Sequence, residues 1–218
     1  MGTVETKDRI LDAAERLFAE QGFDATSLRA ITGEASVNVA AVNYHFGSKD
    51  ALIEAVLARR LEPMNSERLR LLDECERGRD DDPPSIEEIL RCFFEPALRM
   101  HSDPDSGSAR FIQIFGRTFT EPGDRLRELF VSQFRVVARR FKAALGRSVP
   151  DLSKQELSWR MHFMIGAMAH TMSNAEGLRL LDEGRPSRKD VDEEVALLVR
   201  FAAAGLRAPA TAGIAGRV

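Results

Sequence analysis

Apolar residues recur along most of this chain at spacings of three and four, the pattern of one face of an α-helix. The first such stripe consists of Ile10, Leu11, Ala14, Leu17 and Phe18. It predicts a helix over about residues 7–21, which Gly22 would end. Strand-like alternation is scarce, and Leu, Ala, Arg and Glu dominate the stripes. The pattern therefore predicts an all-α protein.

Residues 26–49 predict two very short helices joined by a tight turn around Ser36. The first follows Thr26 or Ser27, either of which can cap it, and ends near residue 33. The second starts at about Asn38 and is too short to be stable alone. It therefore needs the preceding helix as a platform and the helix from about Lys49 as a strut.

Longer amphipathic helices follow. The helix from about Lys49 is expected to end or kink at Pro63, and the loop over residues 78–84 is the clearest internal boundary of the C-terminal half. Ser85 and Ser153 each stand three residues before a glutamate. This spacing predicts two capping boxes, each opening a further helix.

The C-terminal half carries three more helical patterns. Pro96 predicts a kink in the helix that contains it, and residues 126–145 predict a single helix of about six turns. Residues 153–181 are apolar almost all round, so this helix should be buried against the core and against a second chain or a ligand. Residues 191–206 predict the last helix, and residues 208–218 a flexible tail.

Charge and composition limit the classes of function. The net charge is −3, and residues 1–60 hold seven Lys and Arg against nine Asp and Glu, so any case for nucleic-acid binding must be local. No apolar run is long enough to span a membrane and no signal segment is present, so we expect a cytoplasmic protein without a membrane partner. Cys75 and Cys92 lack a CxxC spacing, which favours reduced thiols over a disulfide.

Catalytic signatures are missing from the sequence. It has no Gly-rich phosphate loop, no nucleophile elbow and no carboxylate pair in an apolar setting. We therefore expect no catalytic residue, no cofactor and no enzymatic activity. His162 and His170 are too far apart for a helical metal pair, so no metal site is expected. For these two and His101 a core position is favoured, and a polar contact to a ligand is the alternative.

The stretch AERLFAEQGFDATSLRAITGEASVNVAAVNYHFGSKDALI resembles the N-terminal domain of the tetracycline-repressor (TetR) family of bacterial transcription regulators. The resemblance implies an all-helical homodimer with a three-helix, helix-turn-helix DNA-binding domain and a larger ligand-binding and dimerisation domain, about nine helices in all. We place these domains at residues 1–50 and 51–207, before the tail at 208–218. Segments 117–122 and 159–168 are similar to a subgroup that includes fatty-acid-responsive repressors.

The third helix departs from the family pattern. Many members carry Gly-Val-Ser-x-Gly-Thr-Leu-Tyr where this chain has SVNVAAVN over residues 36–43. Asn38 can still cap the helix. Val39, Ala40 and Ala41 offer no side-chain donors but can contact thymine methyl groups in the major groove. Asn43 is the amide able to pair with a base edge.

The resemblance also implies a set of phosphate contacts. They are the hydroxyls of Thr26 and Ser27 together with Arg29, Tyr44, His45 and Lys49. A surface salt bridge remains the alternative for Arg29, and a packing role for His45. Residues 26–49 carry a net charge of only +1, since Arg29 and Lys49 face Glu34. We therefore expect a modest dependence of DNA affinity on salt.

An effector pocket is the other predicted site. Its candidate residues are Phe115, Arg117, Phe119, His162, Met164 and Met168. Arg117 is a candidate partner for an effector carboxylate, and methionines suit a wall that must adapt to a hydrophobic ligand. The alternative is that the Met and His residues of this helix form only core.

The sequence thus predicts a ligand-responsive transcriptional regulator, most simply a repressor. It would bind a near-palindromic double-stranded DNA operator as a homodimer, assembled through its two C-terminal helices, and release it on binding a small hydrophobic effector. Activation instead of repression stays open. The rival interpretation is a helical small-molecule-binding protein or enzyme whose helix-turn-helix has no function.

Overall fold

The structure is a computed structural model that describes residues 2–79, 82–102, 110–114, 116, 124–173 and 190–210. Every regular element within these residues is a helix, which confirms the predicted all-α class. The helices with defined bounds are α1 (Gly2–Gln21), α2 (Leu28–Glu34), α3 (Val39–Phe46), α4 (Lys49–Glu76), α5 (Ile86–Ser102), α6 (Asp124–Ser132), α7 (Arg135–Ser148), α8 (Lys154–Ser173) and α9 (Val191–Arg207). Residues 110–114 are helical as well.

The chain forms two compact units. The first comprises Met1–Pro63 and Asp103–Arg135, and the second comprises Met64–Ser102 and Val136–Val218. Helix α4 contributes to both, because the division falls just after Pro63.

The predicted N-caps are present. Ser27 Oγ accepts from the Ala30 N–H at 3.1 Å, and Asn38 Oδ1 accepts from the Ala41 N–H at 2.9 Å. These side chains satisfy backbone donors that have no partner within the helix. Ser85 and Glu88 form the reciprocal bonds of a capping box, and Ser153 Oγ accepts from the backbone of Glu156 at 3.1 Å.

The prolines do not end their helices. Pro63 lies inside α4 and Pro96 inside α5, and both helices continue for several more residues, so Pro63 does not end its helix, while the kinks predicted at the two prolines stay predictions. A proline removes one backbone hydrogen bond and strains the preceding turn. Burial on either side compensates for this loss: Leu61 and Met64 flank the first proline, and Ala97 follows the second.

The predicted six-turn helix is also wrong, because it is two helices. Between α6 and α7 the Gln133 and Phe134 N–H groups donate to the carbonyls of Phe130 and Val131 at 3.2 and 3.1 Å. These i→i−3 bonds tighten the chain into a turn. Ser132 Oγ donates to the Leu129 carbonyl at 2.7 Å, a local side-chain bond that competes with the helical ladder.

The first unit is built around α1, which packs against α2 and α3. Its predicted apolar stripe is buried throughout. The Phe18 and Phe23 rings stack with centroids 5.0 Å apart, which places the residue after Gly22 back on the helix. Val42 of α3 is fully buried. Helix α1 is therefore the platform that the short helices require.

In the second unit α5, α8 and α9 pack on one another. Helix α8 was expected to be buried on more than one side, and its methionines Met161, Met164, Met168 and Met172 are indeed buried. Trp159 and Phe163 on the same helix are exposed. One side of α8 therefore belongs to the core, and another presents large apolar side chains to solvent.

Candidate functional site

The turn between α2 and α3 holds the two short helices in a fixed relation. The Val37 N–H donates to the Thr32 carbonyl at 2.9 Å, and Ser36 adopts a left-handed conformation with φ of 50°. Residues other than glycine rarely adopt this conformation, because the Cβ atom crowds the backbone. Arg9 of α1 donates to the carbonyls of Ala35 and, at 3.0 Å, of Ser36. The platform helix thus fixes the turn directly.

Helix α3 divides into a buried side and an exposed side. Val42 anchors the helix in the core of the first unit, and Asn38 caps it. The predicted base-contacting residues Val39, Ala40 and Asn43 are exposed, and Ala41 is half-buried. The exposed side is about two turns long, the size that fits into a major groove.

The predicted phosphate-contacting residues border this exposed side. Ser27 and Arg29 are exposed at the start of α2, and Tyr44 is exposed near the end of α3. His45 packs its ring edge-to-face with Tyr44, with centroids 5.1 Å apart, and is half-buried, as is Lys49. The packing role left open for His45 therefore accounts for part of its surroundings. The DNA contacts of these five phosphate-contacting candidates remain predictions.

Thr26 has a different role from the one predicted. It is fully buried, and its Oγ1 donates to the Gly22 carbonyl at 2.6 Å, with the Leu17 carbonyl at 3.3 Å. A hydroxyl held in this way cannot reach a phosphate. Thr26 instead fixes the loop between α1 and α2 onto the end of α1.

Ion pairing changes the local charge balance. Glu34, the acidic residue within 26–49, forms an ion pair with Arg16 of α1. Its negative charge is thereby compensated from outside the motif and does not offset Arg29 and Lys49. Lys7 of α1 adds another cation beside α3, with its Nζ 6.0 Å from the centroid of the Phe46 ring. Neither Arg9 nor Arg16 was singled out from the sequence. Both act across a long sequence separation, for which helical periodicity gives no signal.

The predicted effector residues are only partly described. Phe115, Arg117 and Phe119 lie outside the described residues. Met164 and Met168 are buried, as either a core or a pocket role requires.

The core interpretation of the histidines is wrong for two of the three. His170 is exposed, and so is His162, whose ring meets Trp159 edge-to-face with centroids 5.9 Å apart. His101 is half-buried, and burial lowers its pKa. Its Nδ1 has no hydrogen-bond partner among the described residues.

Two neighbouring helices of the second unit carry exposed apolar side chains. We call the set Trp159, Phe163, Leu197 and Phe201 the α8–α9 apolar surface. Arg160 joins the two helices, because its guanidinium donates to the carbonyls of Gly205 and Leu206, both at 2.9 Å, at the end of α9. Glu156 pairs with the same guanidinium at 2.6 Å. These polar contacts hold the apolar surface in place.

Family comparisons agree with this arrangement. Residues 10–56 match the family described as "Bacterial regulatory proteins, tetR family". Residues 91–205 match the family described as "Tetracyclin repressor-like, C-terminal domain", which by itself spans more than half of the chain. The chain belongs to the TetR family of helix-turn-helix transcriptional regulators. This confirms the resemblance seen in the sequence.

Similar proteins of this family include named repressors. The chain is 26% identical over 159 residues, 72% of its length and 78% of the relative's, to the nicotine-responsive transcriptional repressor HdnoR of Paenarthrobacter nicotinovorans. It is 29% identical over 129 residues to the transcriptional repressor KstR of Rhodococcus jostii, covering 54% of this chain and 61% of that one.

Solved structures share the fold. The regulator FadR of Bacillus subtilis in complex with stearoyl-CoA has a TM-score of 0.64 and 13% identity, covering 90% of this chain and 97% of that one. FadR of Bacillus halodurans has a TM-score of 0.66 and 14% identity, covering 93% and 96%. At such identities the likeness concerns the fold alone.

Two features are absent from the described residues. No helix among them has the length and apolar character needed to cross a membrane. The same residues contain no group of three or more His, Cys, Asp or Glu side chains placed to hold a metal ion.

Proposed function

We propose that this regulator is a repressor that binds a near-palindromic operator as a homodimer and leaves it when a small hydrophobic effector binds. The observation that carries the proposal is the exposed side of α3, capped by Asn38 and anchored by buried Val42. A dimer presents two such helices, which suit half-sites one helical turn, about 34–36 Å, apart. Such a protein acts where the DNA lies, in the cytoplasm.

Few side chains of α3 are placed to contact DNA bases. Asn43 is exposed and carries the amide group that pairs bidentately with adenine in the major groove. Val39 and Ala40 are exposed and apolar, which suits contact with thymine methyl groups. Ser27, Arg29, Tyr44, His45 and Lys49 would contact phosphates, which fix position but do not specify sequence.

The α8–α9 apolar surface is the proposed dimer interface. Its aromatic residues are exposed in the single chain, and large exposed apolar patches mark association sites. A second copy of the chain would cover them with the same surface by two-fold symmetry. In sedimentation experiments we expect dimers for the unaltered chain and monomers for a Phe163→Glu, Phe201→Glu double variant. Val136→Glu, at an apolar site on α7 that is 52% exposed, is the control and should remain dimeric.

Release of DNA needs only modest coupling. An effector that binds one dimer geometry better than another shifts the spacing of the two α3 helices, and about 1–3 kcal/mol is typical of such coupling. Support for a small-molecule effector comes from the relatives, since HdnoR is described as nicotine-responsive and the FadR structure contains stearoyl-CoA. Met164 and Met168 are candidate pocket residues because they are buried and adaptable.

Selection of bound fragments from genomic DNA, followed by footprinting, tests the proposal. A near-palindromic footprint is expected, and Asn43→Ala should relax the preference at one or two base pairs, each worth about 1–3 kcal/mol. Gln21→Ala removes an exposed amide at the end of α1 and should leave the preference unchanged. Absence of any discrete footprint would favour the rival function, a small-molecule-binding protein whose helix-turn-helix does not bind DNA.

A further inference from the structure

The core of the second unit contains a fully buried arginine. Arg68 lies on α4 and is 0% exposed, which makes it the largest fully buried side chain among the described residues. Buried charges in proteins are normally paired with an opposite charge or a metal ion, because removing a charge from water is costly.

None of the contacts that the structure gives Arg68 carries a negative charge. Its Nε donates to the Phe93 carbonyl at 2.8 Å, one terminal nitrogen donates to Asn65 Oδ1 at 3.2 Å, and the other lies 3.6 Å from Met168 Sδ. The guanidinium carbon also sits 4.2 Å from the centroid of the Phe93 ring. These groups take three of the five N–H donors, and the thioether is a weak acceptor.

A nearby arginine differs from Arg68 in both exposure and ion pairing. Arg70, two residues further along α4, is half exposed and bound by Glu67 and Glu74 at 2.6 and 2.5 Å. Burial lowers the pKa of Arg68 to about 9, with no carboxylate to raise it again. Arg68 nevertheless remains protonated at neutral pH. Among the described residues of the second unit, no carboxylate therefore pairs with the positive charge of Arg68, which lies in an apolar setting.

We propose that Arg68 binds the anionic group of the effector, and that the effector is an organic anion with an apolar body. The apolar body is inferred from the side chains around the guanidinium, since Phe93 and Met168 are both buried. The planar guanidinium with donors to spare suits a carboxylate or a phosphate, either of which it can bind through two hydrogen bonds. The inference rests on the proposed function, because it assumes an effector site in the second unit.

The predicted pocket residue Met168 supports this placement. It belongs to α8, and its sulfur is the group that meets the Arg68 guanidinium. Asn65, also buried, stands one turn before Arg68 on α4 and bonds to it. An anion at this point would join α4 and α8 through one ligand.

The test measures binding of three anionic probes and their neutral counterparts to the full chain by calorimetry, without DNA. The probes are decanoate, phenylbutyrate and decyl phosphate, against decanol and phenylbutanol. We expect at least one anion to bind about tenfold or more tightly than its neutral counterpart. Arg68→Met should lower the affinity for that anion by about 10- to 100-fold, as loss of a charged hydrogen bond predicts. The affinity for the alcohol should change by no more than about threefold.

Arg70→Met is the matched control, since it removes the same charge from an exposed position on the same helix. It should bind every probe as the unaltered chain does. The proposal is overturned if no anion is preferred over its alcohol, or if Arg68→Met binds anions unchanged. Which of decanoate and decyl phosphate is preferred identifies the anionic group.

Folding of the variant is checked by circular dichroism. Methionine leaves the Phe93 carbonyl and Asn65 Oδ1 without this donor, so a thermal midpoint at or below that of the unaltered chain is expected. If Arg68→Met does not fold, Arg68→Lys is used in its place, because lysine keeps the charge but lacks the planar guanidinium group. It should lose several-fold in anion affinity and keep alcohol affinity, whereas equal losses for both would assign Arg68 a structural role only.

Footprinting of the unaltered chain and of Arg68→Met without any probe separates this inference from the proposed function. A missing footprint for both proteins contradicts the regulator function, while calorimetry still decides the role of Arg68. A normal footprint together with unchanged anion binding contradicts only the role of Arg68.

Discussion

Replacing Glu15 by glutamine is expected to loosen the packing of α1 against α4 in the first unit. Glu15 is 2% exposed. Its carboxylate accepts from Arg60 Nε at 3.0 Å and from Nη2 at 2.9 and 3.2 Å, and Arg59 lies 3.7 Å away. Glutamine keeps the shape of the side chain but removes the charge, and its NH₂ group would face the donors of Arg60.

The expected loss of stability follows from the burial of Glu15 and Arg60. Loss of one partner from a fully buried ion pair costs about 3–5 kcal/mol. The Arg60 side chain is 26% exposed, so it can recover part of its hydration. A charged hydrogen bond is worth about 1.5–3 kcal/mol, which sets the expected loss for Glu15→Gln at about 2–3 kcal/mol.

Native-state hydrogen exchange is the appropriate assay because it reports local stability. Protection of α1 amides should fall by about 30- to 150-fold, the equivalent of 2–3 kcal/mol. Asp12→Asn is the control: Asp12 bonds Arg59 at 2.5 Å but is 63% exposed, and a surface pair is worth at most about 1 kcal/mol. Equal losses in the two variants, or no loss for Glu15→Gln, would refute the reasoning.

Three further predictions concern the turn, the DNA interface and the thiols. Ser36→Gly should relieve the left-handed backbone and stabilise the first unit by about 0.5–1 kcal/mol in urea unfolding; a lower stability would show that the serine side chain contributes there. Operator affinity should fall with salt with a logarithmic slope of about −4, from Arg29 and Lys49 in each protomer of a dimer, and a slope steeper than about −6 would require further basic contacts. Burial raises the pKa of Cys75, and that of Cys92 to about 12, so both should react slowly with a thiol reagent at pH 8 and faster as pH rises; rapid complete reaction at pH 7 would contradict this.

Local chemistry explains why so much of the first unit could be predicted. Ser27 and Asn38 cap helices through bonds to residues three positions away, and such bonds follow from residue type and spacing alone. The buried stripe of α1 follows from periodicity in the same way.

Contacts between distant parts of the chain could not be foreseen. Arg16 pairs with Glu34, and Glu15 pairs with Arg60, across separations for which the sequence has no periodic signal. Thr26 has the residue type of a phosphate contact, and only the tertiary structure shows its hydroxyl buried against backbone carbonyls.

Arg68 was missed for a more specific reason. In one uninterrupted helix, Leu61, Arg68 and Leu72 lie at spacings of seven and four, which places them on the same face, and all three are buried. The expectation that Pro63 ends or kinks the helix interrupts this register between Leu61 and Arg68. Because α4 continues past the proline, the register is restored and separates the buried arginine from the exposed one. A sequence can thus indicate a buried arginine when the arginine stands at an apolar position of a helical repeat. This works here only if the helix is taken to continue through the proline.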